Sequence, residues 1–382
     1  MKHNWKHIKF GDAFNLQMGK TPARANSAYW SNGLYDWVSI SDMPNGKYIQ
    51  GTKEKISQKA VDETGIHLVK KGTALMSFKL TIGKTAIAPY DLYTNEAIMA
   101  FEPKDGTDVL ADFLYYYLQL YEWDGNRAVM GNTTNKGVIS NSYAYIPSLS
   151  EQESIVAELD AINHLIDLQE KQLREYDCLA QSLFYSTFGD FKKECKWKCL
   201  DDLYKFIDYR GKTPNKIDMG IPLITARNVR FGLLDYTVRD FISAKEYAER
   251  QSRGIAHKGD ILFTTEAPLG YAALADMEVF STGQRIIALQ AKNDKEINNI
   301  FALRYILSDD FQHKLLQNAT GATAKGIKAE KLKRIQIPLP PLALQQTFAA
   351  QIEAIEQQKA LIRRSLDETR TLLAARMQYY FE

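Results

Sequence analysis

The chain has 382 residues, 45% of them hydrophobic, enough for two or three domains that each bury a core, which excludes a disordered or fibrous protein. With 48 Lys+Arg against 46 Asp+Glu the net charge is only +2, so a nucleic-acid partner has to be argued from local charge. Cys178, Cys195 and Cys199 are too few for a disulfide framework, and Met1-Lys2-His3-Asn4-Trp5-Lys6 lacks the apolar run of a signal peptide. No apolar stretch approaches the roughly 18 residues of a membrane span, so the expectation is a reduced, cytoplasmic protein without a membrane role.

In chain order, residues 1–150 read as short β-like segments broken by glycine, a first globular domain. Residues 151–188 follow as one helix, free of Pro and Gly up to Phe188. Apolar residues there step by four and three through Ile155, Leu159, Ile162 and Ile166, then Leu173, with Gln169 as a polar interruption, the spacing of a coiled-coil seam. Residues 189–341 return to the β-like texture as a second domain. Residues 342–382 close the chain with another helix, its stripe running through Phe348, Ile352, Ile355, Ile362 and Leu366, broken by Lys359 and Thr369. The two stripes are expected to bury each other in an antiparallel pair. The predicted fold is therefore α+β: two α/β domains separated by a pair of long coiled-coil helices, with an approximate twofold relation.

The two domains read as copies. Trp5-Lys6 recurs as Trp197-Lys198, and Gly19-Lys20-Thr21-Pro22 as Gly211-Lys212-Thr213-Pro214, both at an offset of 192. With small slips, Lys71-Gly72 matches Lys258-Gly259, Lys136-Gly137-Val138 matches Lys325-Gly326-Ile327, and Ile146-Pro147 matches Ile337-Pro338. Solenoid periods run near 20 to 50 residues, so this is a whole-domain duplication. Net charge differs by segment: +2 for the first domain, −6 for its helix, +6 for the second domain and 0 for the last helix. An acidic helix does not lie on phosphates; it spaces the domains or meets a protein.

Catalytic motifs fail one by one. The Gly-Lys-Thr strings at 19–21, 83–85 and 211–213 carry Phe14, Phe78 and Phe206 where a phosphate loop needs its first glycine. Neither a His-Glu-x-x-His helix nor a Gly-x-Ser-x-Gly elbow occurs, and Cys195 with Cys199 lacks a second metal-ligand pair. The Asn/Asp-Pro-Pro-aromatic tetrapeptide of amino-methyltransferases is missing too. The expectation is a binding protein with no catalytic residue and no metal or cofactor of its own.

The repeated loops instead carry groups suited to DNA. Lys20, Thr21 and Arg24 in the first copy, and Lys212, Thr213 and Asn215 in the second, surround a turn whose backbone donors, hydroxyl and ammonium suit a phosphate. Ile40-Ser41-Asp42-Met43 corresponds to Thr225-Ala226-Arg227-Asn228-Val229, where Arg227 and Asn228 have the fork and amide that read guanine and adenine edges. Further along, Lys79 and Thr81 face Thr265 and Glu266, and Asn95-Glu96 faces Gln284-Arg285. The last loop sets Thr134 and Lys136 against Thr323 and Lys325, among small residues that let a duplex approach the backbone. A shared framework with altered polar tips suits two readers of different sequences.

Gly321-Ala322-Thr323-Ala324-Lys325-Gly326-Ile327, then Ile337-Pro338-Leu339-Pro340-Pro341-Leu342 and a long helix, together with Gly259-Asp260-Ile261-Leu262 and Thr264-Thr265-Glu266-Ala267-Pro268-Leu269-Gly270, resemble over the whole chain the specificity subunits of type I restriction-modification systems. The first half departs with Asn132 in place of the loop glycine and Pro147-Ser148-Leu149 in place of the longer proline run. The resemblance implies two target-recognition domains reading the halves of a split, asymmetric double-stranded DNA site, with the helices setting the gap. It further implies two methyltransferase subunits that bind S-adenosylmethionine and two ATP- and Mg-dependent restriction subunits. A specificity subunit of a type II enzyme with fused methylase and nuclease, or a coiled-coil scaffold between two protein-binding domains, are the alternatives.

Overall fold

Segments too short and too glycine-broken for helices pair as strands, and they do so in one pattern twice. The computed structural model describes residues 5–44, 46–79, 81–123, 126–128, 131–189, 195–209, 213–321 and 325–382. The chain divides into two compact units, Met1–Glu170 with Arg364–Glu382, and Lys171–Arg363. Each contains one copy of the domain and one stretch of each long helix.

In the first unit, Lys6–Lys9 pairs antiparallel with Tyr143–Ile146 beside the long helix. A four-stranded antiparallel sheet follows in the order Phe14–Met18, Ile98–Pro103, Ala74–Ser77, Thr85–Ile87. A three-stranded mixed sheet places Tyr35–Val38 between Glu54–Ile56 and the parallel Tyr93–Thr94. The second unit repeats this with Lys196–Cys199 on Gln336–Leu339, with the sheet Tyr204–Asp208, Ile286–Ala291, Ile261–Thr264, Ala272–Leu274, and with Ile221–Ile224 between Asp240–Ile242 and Ser281–Thr282. The fold is α+β, and the duplication is real.

Several of the sequence matches are out of register with it. The strands pair Lys6 with Ile146 and Lys196 with Leu339, so Ile146-Pro147 corresponds to Leu339-Pro340 and not to Ile337-Pro338. The opening strands make Lys6 the counterpart of Lys196, so Trp5-Lys6 and Trp197-Lys198 sit two residues apart in the two copies. The two extra residues enter after Asp208, ahead of the Gly-Lys-Thr-Pro turn. The helix Lys136–Asn141 buries Ile139, and its counterpart Ala329–Lys333 buries Leu332, so Lys136 corresponds to Ala329 and not to Lys325. In both copies the carbonyl just beyond this helix, that of Ser142 or Ile335, accepts from the backbone N–H of Phe10 or Leu200.

The long helices span Leu149–Phe188 and Leu342–Phe381, about 60 Å each at 1.5 Å per residue. Inside the first unit they run antiparallel: Arg376 Nη2 donates to Glu158 at 2.8 Å, Arg370 Nη2 to Glu170 at 2.8 Å, and Gln169 Nε2 to Ser365 at 2.9 Å. Ile155 and Leu159 join Phe113, Tyr117, Met377 and Phe381 in the core, and Ile162 is also buried. Inside the second unit Phe184 and Phe188 meet Phe348, and Ile352 and Ile355 join the same core. Ile166, Leu173 and Ile362 are half-buried, and Leu366 is buried. The stripes therefore serve both helix pairing and domain attachment.

Polar residues in the stripes have partners. Buried Lys359 donates to Asp177 at 2.6 Å and Glu356 at 2.9 Å, which offsets the cost of removing its ammonium from water. The Thr369 hydroxyl returns to the Ser365 carbonyl at 2.8 Å. Among the described residues no helix is long and apolar enough to cross a membrane.

Candidate nucleic-acid interface

In each unit the loops singled out in the sequence gather at the ends of the two sheets. In the first, Gly19 lies so close to the strand Tyr93–Thr94 that an added Cβ would stand 2.2 Å from the Thr94 carbonyl, which is why glycine opens this turn. Lys20 then bonds backbone to backbone with Thr94, its carbonyl accepts from Trp37 Nε1 at 3.0 Å, and its ammonium caps the helix Gln58–Thr64 on the Thr64 carbonyl at 2.5 Å. The Thr21 hydroxyl donates to Glu96. Arg24 forks onto Glu54 at 2.5 and 2.9 Å while its guanidinium lies 3.9 Å from the centre of the Trp30 ring.

The second unit makes the same clasp with different chemistry: Gln284 donates to the Thr213 hydroxyl where Thr21 donates to Glu96. This equivalence fixes the register. The Asn95 N–H donates to the Val38 carbonyl as the Gly283 N–H donates to Ile224, so Asn95 matches Gly283, Glu96 matches Gln284 and Ala97 matches Arg285. The sequence pairing of Asn95-Glu96 with Gln284-Arg285 is thus one residue out. Asn95 is a turn residue, its side-chain oxygen accepting from the Ala97 N–H at 3.1 Å.

Asn228 requires a larger correction. It is 2% exposed, its oxygen accepts from the N–H and hydroxyl of Thr225 at 2.9 Å each, and its amide donates to the Asp235 and Val238 carbonyls at 2.9 and 2.7 Å. Every bond that could read an adenine is made within the protein. Its counterpart Asp42 accepts from the Ser39 N–H at 2.9 Å and from the Ser39 hydroxyl at 2.6 Å. Ser39-x-x-Asp42 and Thr225-x-x-Asn228 are one reciprocal turn in two copies, a pattern legible in the sequence as a capping box. Thr134 is also buried, with its N–H on the Phe78 carbonyl, and so supports the loop from beneath.

The exposed members are Lys20, Arg24, Thr81, Lys136, Thr213, Asn215, Arg227, Glu266, Arg285 and Lys325, with Thr21, Lys79 and Gln284 half-exposed. Lys212 and Thr323 lie outside the described residues. Arg227 Nη2 donates to Asp240 at 2.7 Å beside Lys216 at 2.9 Å, and Arg285 Nε lies 3.2 Å from Glu266. The Asn215 N–H reaches the Glu246 carboxylate at 3.1 Å, and buried Arg250, on the same helix as Glu246, donates to the Thr282 carbonyl at 2.7 Å and anchors the loop from below.

These ties set the charge states. The hydrogen bond from Arg24 holds the Glu54 carboxyl below its ordinary range. Burial alone would raise Glu96 and Asp240. For Glu96 the bonds from Thr21 and its own backbone N–H, with the fields of Lys79 and Arg24, win; for Asp240, Lys216 and Arg227 win, and both carboxyls end below their usual range. The carboxylates Glu54, Glu96 and Asp240 were not singled out in the sequence as site residues, because a lone acid in a loop carries no spacing signal. Among the described residues no group of three or more His, Cys, Asp or Glu could hold a metal ion.

Two copies of one mixed-sheet domain, each with a cluster of arginine, threonine and amide side chains at its sheet ends and a long helix attached, define a tandem recognition protein. The chain belongs to the type I restriction modification DNA specificity domain family, whose model matches residues 2–175 and 192–369. It is similar to the type I restriction enzyme MjaIX specificity subunit of Methanocaldococcus jannaschii, 29% identical over 196 residues, covering 50% of this chain and 45% of that one. Similarity to the type I restriction enzyme EcoprrI specificity subunit of Escherichia coli is 28% over 171 residues, 41% of this chain and 42% of that one. The chain thus matches less than half the length of these two relatives. Two solved structures share the fold over 99% of this chain: the type I restriction-modification S subunit of M. genitalium, TM-score 0.56 at 14% identity and 96% of its length, and a chain from a study of assembly and conformational transition in the type I system, TM-score 0.59 at 17% identity and 97% of its length.

Proposed function

We propose that the chain is the DNA-specificity subunit of a type I restriction-modification complex. Each domain reads one half of an asymmetric, bipartite duplex site, and the long helices set the unspecified gap between the halves. The observation that carries this reading is the loop cluster built twice on one frame with altered tips: Thr21 on Glu96 but Thr213 on Gln284, Ser41 where the other copy has Arg227, Ala97 where it has Arg285. Equal frames with unequal hydrogen-bonding groups suit two different half-sites.

In this proposal the subunit contributes the address and no chemistry. Adenine methylation belongs to two methyltransferase subunits with S-adenosylmethionine, and translocation and cleavage belong to two restriction subunits using ATP and Mg, all in the cytoplasm. The test is a methylation map of cells carrying the chain with its partner subunits. A bipartite motif is expected, and exchange of the first domain for a relative's changes one half only. A change in both halves together overturns independent reading.

A further inference from the structure

All three arginines that the sequence offered as DNA contacts are paired with a carboxylate of their own unit: Arg24 with Glu54, Arg227 with Asp240, Arg285 with Glu266. Arg24 is the most constrained. Glu54 takes both terminal nitrogens, and the Trp30 and Trp37 rings lie 3.9 and 5.0 Å from the guanidinium, so its plane is fixed although its side chain is half exposed. Carboxylate and phosphate are competing acceptors for one fork. A guanidinium already neutralised in this way releases little counter-ion on meeting a phosphate, and the phosphate must approach a second anion. Guanine O6 and N7 are neutral acceptors, and of the five N–H groups of an arginine a bidentate carboxylate occupies two, leaving donors for a base edge.

We propose that Glu54, and Glu266 in the second copy, are specificity-determining residues that act through Arg24 and Arg285: each orients its arginine for a base edge and suppresses its attraction to phosphate. They lower affinity for non-cognate DNA more than for the cognate site. This rests on the DNA-reading proposal above. Glu54 and Glu266 are positioning residues and touch no base in this assignment.

The test is binding of the full chain to two duplexes of equal length, one carrying the mapped motif and one with that motif scrambled, titrated across salt concentration. Glu54→Gln is expected to raise affinity for the scrambled duplex by about tenfold near 0.1 M salt and to steepen its salt dependence by about 0.9, the effect of one added phosphate contact. The ratio of cognate to scrambled affinity falls accordingly. With Arg24→Gln already present, Glu54→Gln changes neither quantity, because the carboxylate acts through the arginine. Glu266→Gln repeats the measurement independently in the second unit. If the parent chain discriminates the duplexes but neither carboxylate variant alters scrambled affinity or its salt slope, the proposal is overturned. Loss of cognate binding alone also overturns it, since that marks a carboxylate reading a base. A parent chain that does not discriminate at all refutes the DNA-reading proposal itself, and this one with it.

Discussion

Gln152 and Gln345 make the same three hydrogen bonds in the two units. Gln152 accepts from the Leu110 N–H at 2.8 Å and donates to the Asp108 and Pro147 carbonyls; Gln345 accepts from the Asn298 N–H at 2.9 Å and donates to the Glu296 and Pro340 carbonyls. Both side chains are fully buried at the start of a long helix, where they join it to the chain entering the domain's own helix.

Replacing either glutamine with leucine strands one N–H and two carbonyls away from water. At about 1–3 kcal/mol for each unsatisfied buried group, partly relieved by local relaxation, the expected loss is about 3 kcal/mol. Urea unfolding measures it, and hydrogen exchange locates it: Gln152→Leu loosens the first unit and Gln345→Leu the second.

Asn228→Ala is expected to act as a folding defect. Removing four hydrogen bonds, two within its turn and two to the Asp235 and Val238 carbonyls, costs about 2 kcal/mol of stability. Its effect on DNA scales with the unfolding and does not depend on the base opposite the loop. A specificity change at unaltered stability would return Asn228 to the base-reading set.

Lys325 and Arg227 separate two kinds of contact. Lys325→Ala is expected to weaken binding to every duplex and reduce the salt slope by about 0.9, the share of one phosphate. Arg227→Ala is expected to cost about 1–3 kcal/mol against the cognate half-site and little elsewhere. Titration of cognate and scrambled duplexes over a salt series distinguishes them.

Acid sensitivity follows from Asp240. Its carboxyl titrates below its unfolded value because Lys216 and Arg227 outweigh burial, so the stability it contributes is complete above the unfolded carboxylate range and is lost as pH falls through the folded value. Asp240→Asn should therefore flatten the acid limb of the stability profile below about pH 4. Thermal melts of the two proteins between neutral and acid pH measure the difference.

The gap proposal is tested by length. One heptad added to each long helix keeps both stripes in phase and adds roughly 10 Å, about three base pairs at 3.4 Å each. The methylated motif should keep both specific halves and widen its gap, with activity reduced by the altered angular phase on the duplex. An active enzyme with an unchanged gap rejects the helices as a ruler.

The duplication, the two long helices and the loops were legible in the sequence because stripe spacing and repeated glycine turns survive drift. Register was not, where identical letters misled. Trp5 and Trp197 match by identity, while the strands align Lys6 with Lys196; Lys136 and Lys325 match likewise, while buried Ile139 and Leu332 align Lys136 with Ala329. Burial of short helices leaves too weak a pattern to overrule such matches. Asn228 was misread because an amide looks the same in sequence whether it faces solvent or closes a turn; the serine or threonine three residues before it was the available signal.

The first unit is discontinuous in the chain, and this orders its birth on the ribosome. Its core needs Met377 and Phe381, which pack with Phe113 and Tyr117, whereas the second unit is a single stretch from Lys171 to Arg363. The half that is translated first is therefore finished last. Until Phe381 emerges, the aromatic face around Phe113 stays uncovered, and a nascent chain stalled at Arg363 holds a complete second unit beside an unfinished first one, open to chaperones and proteases.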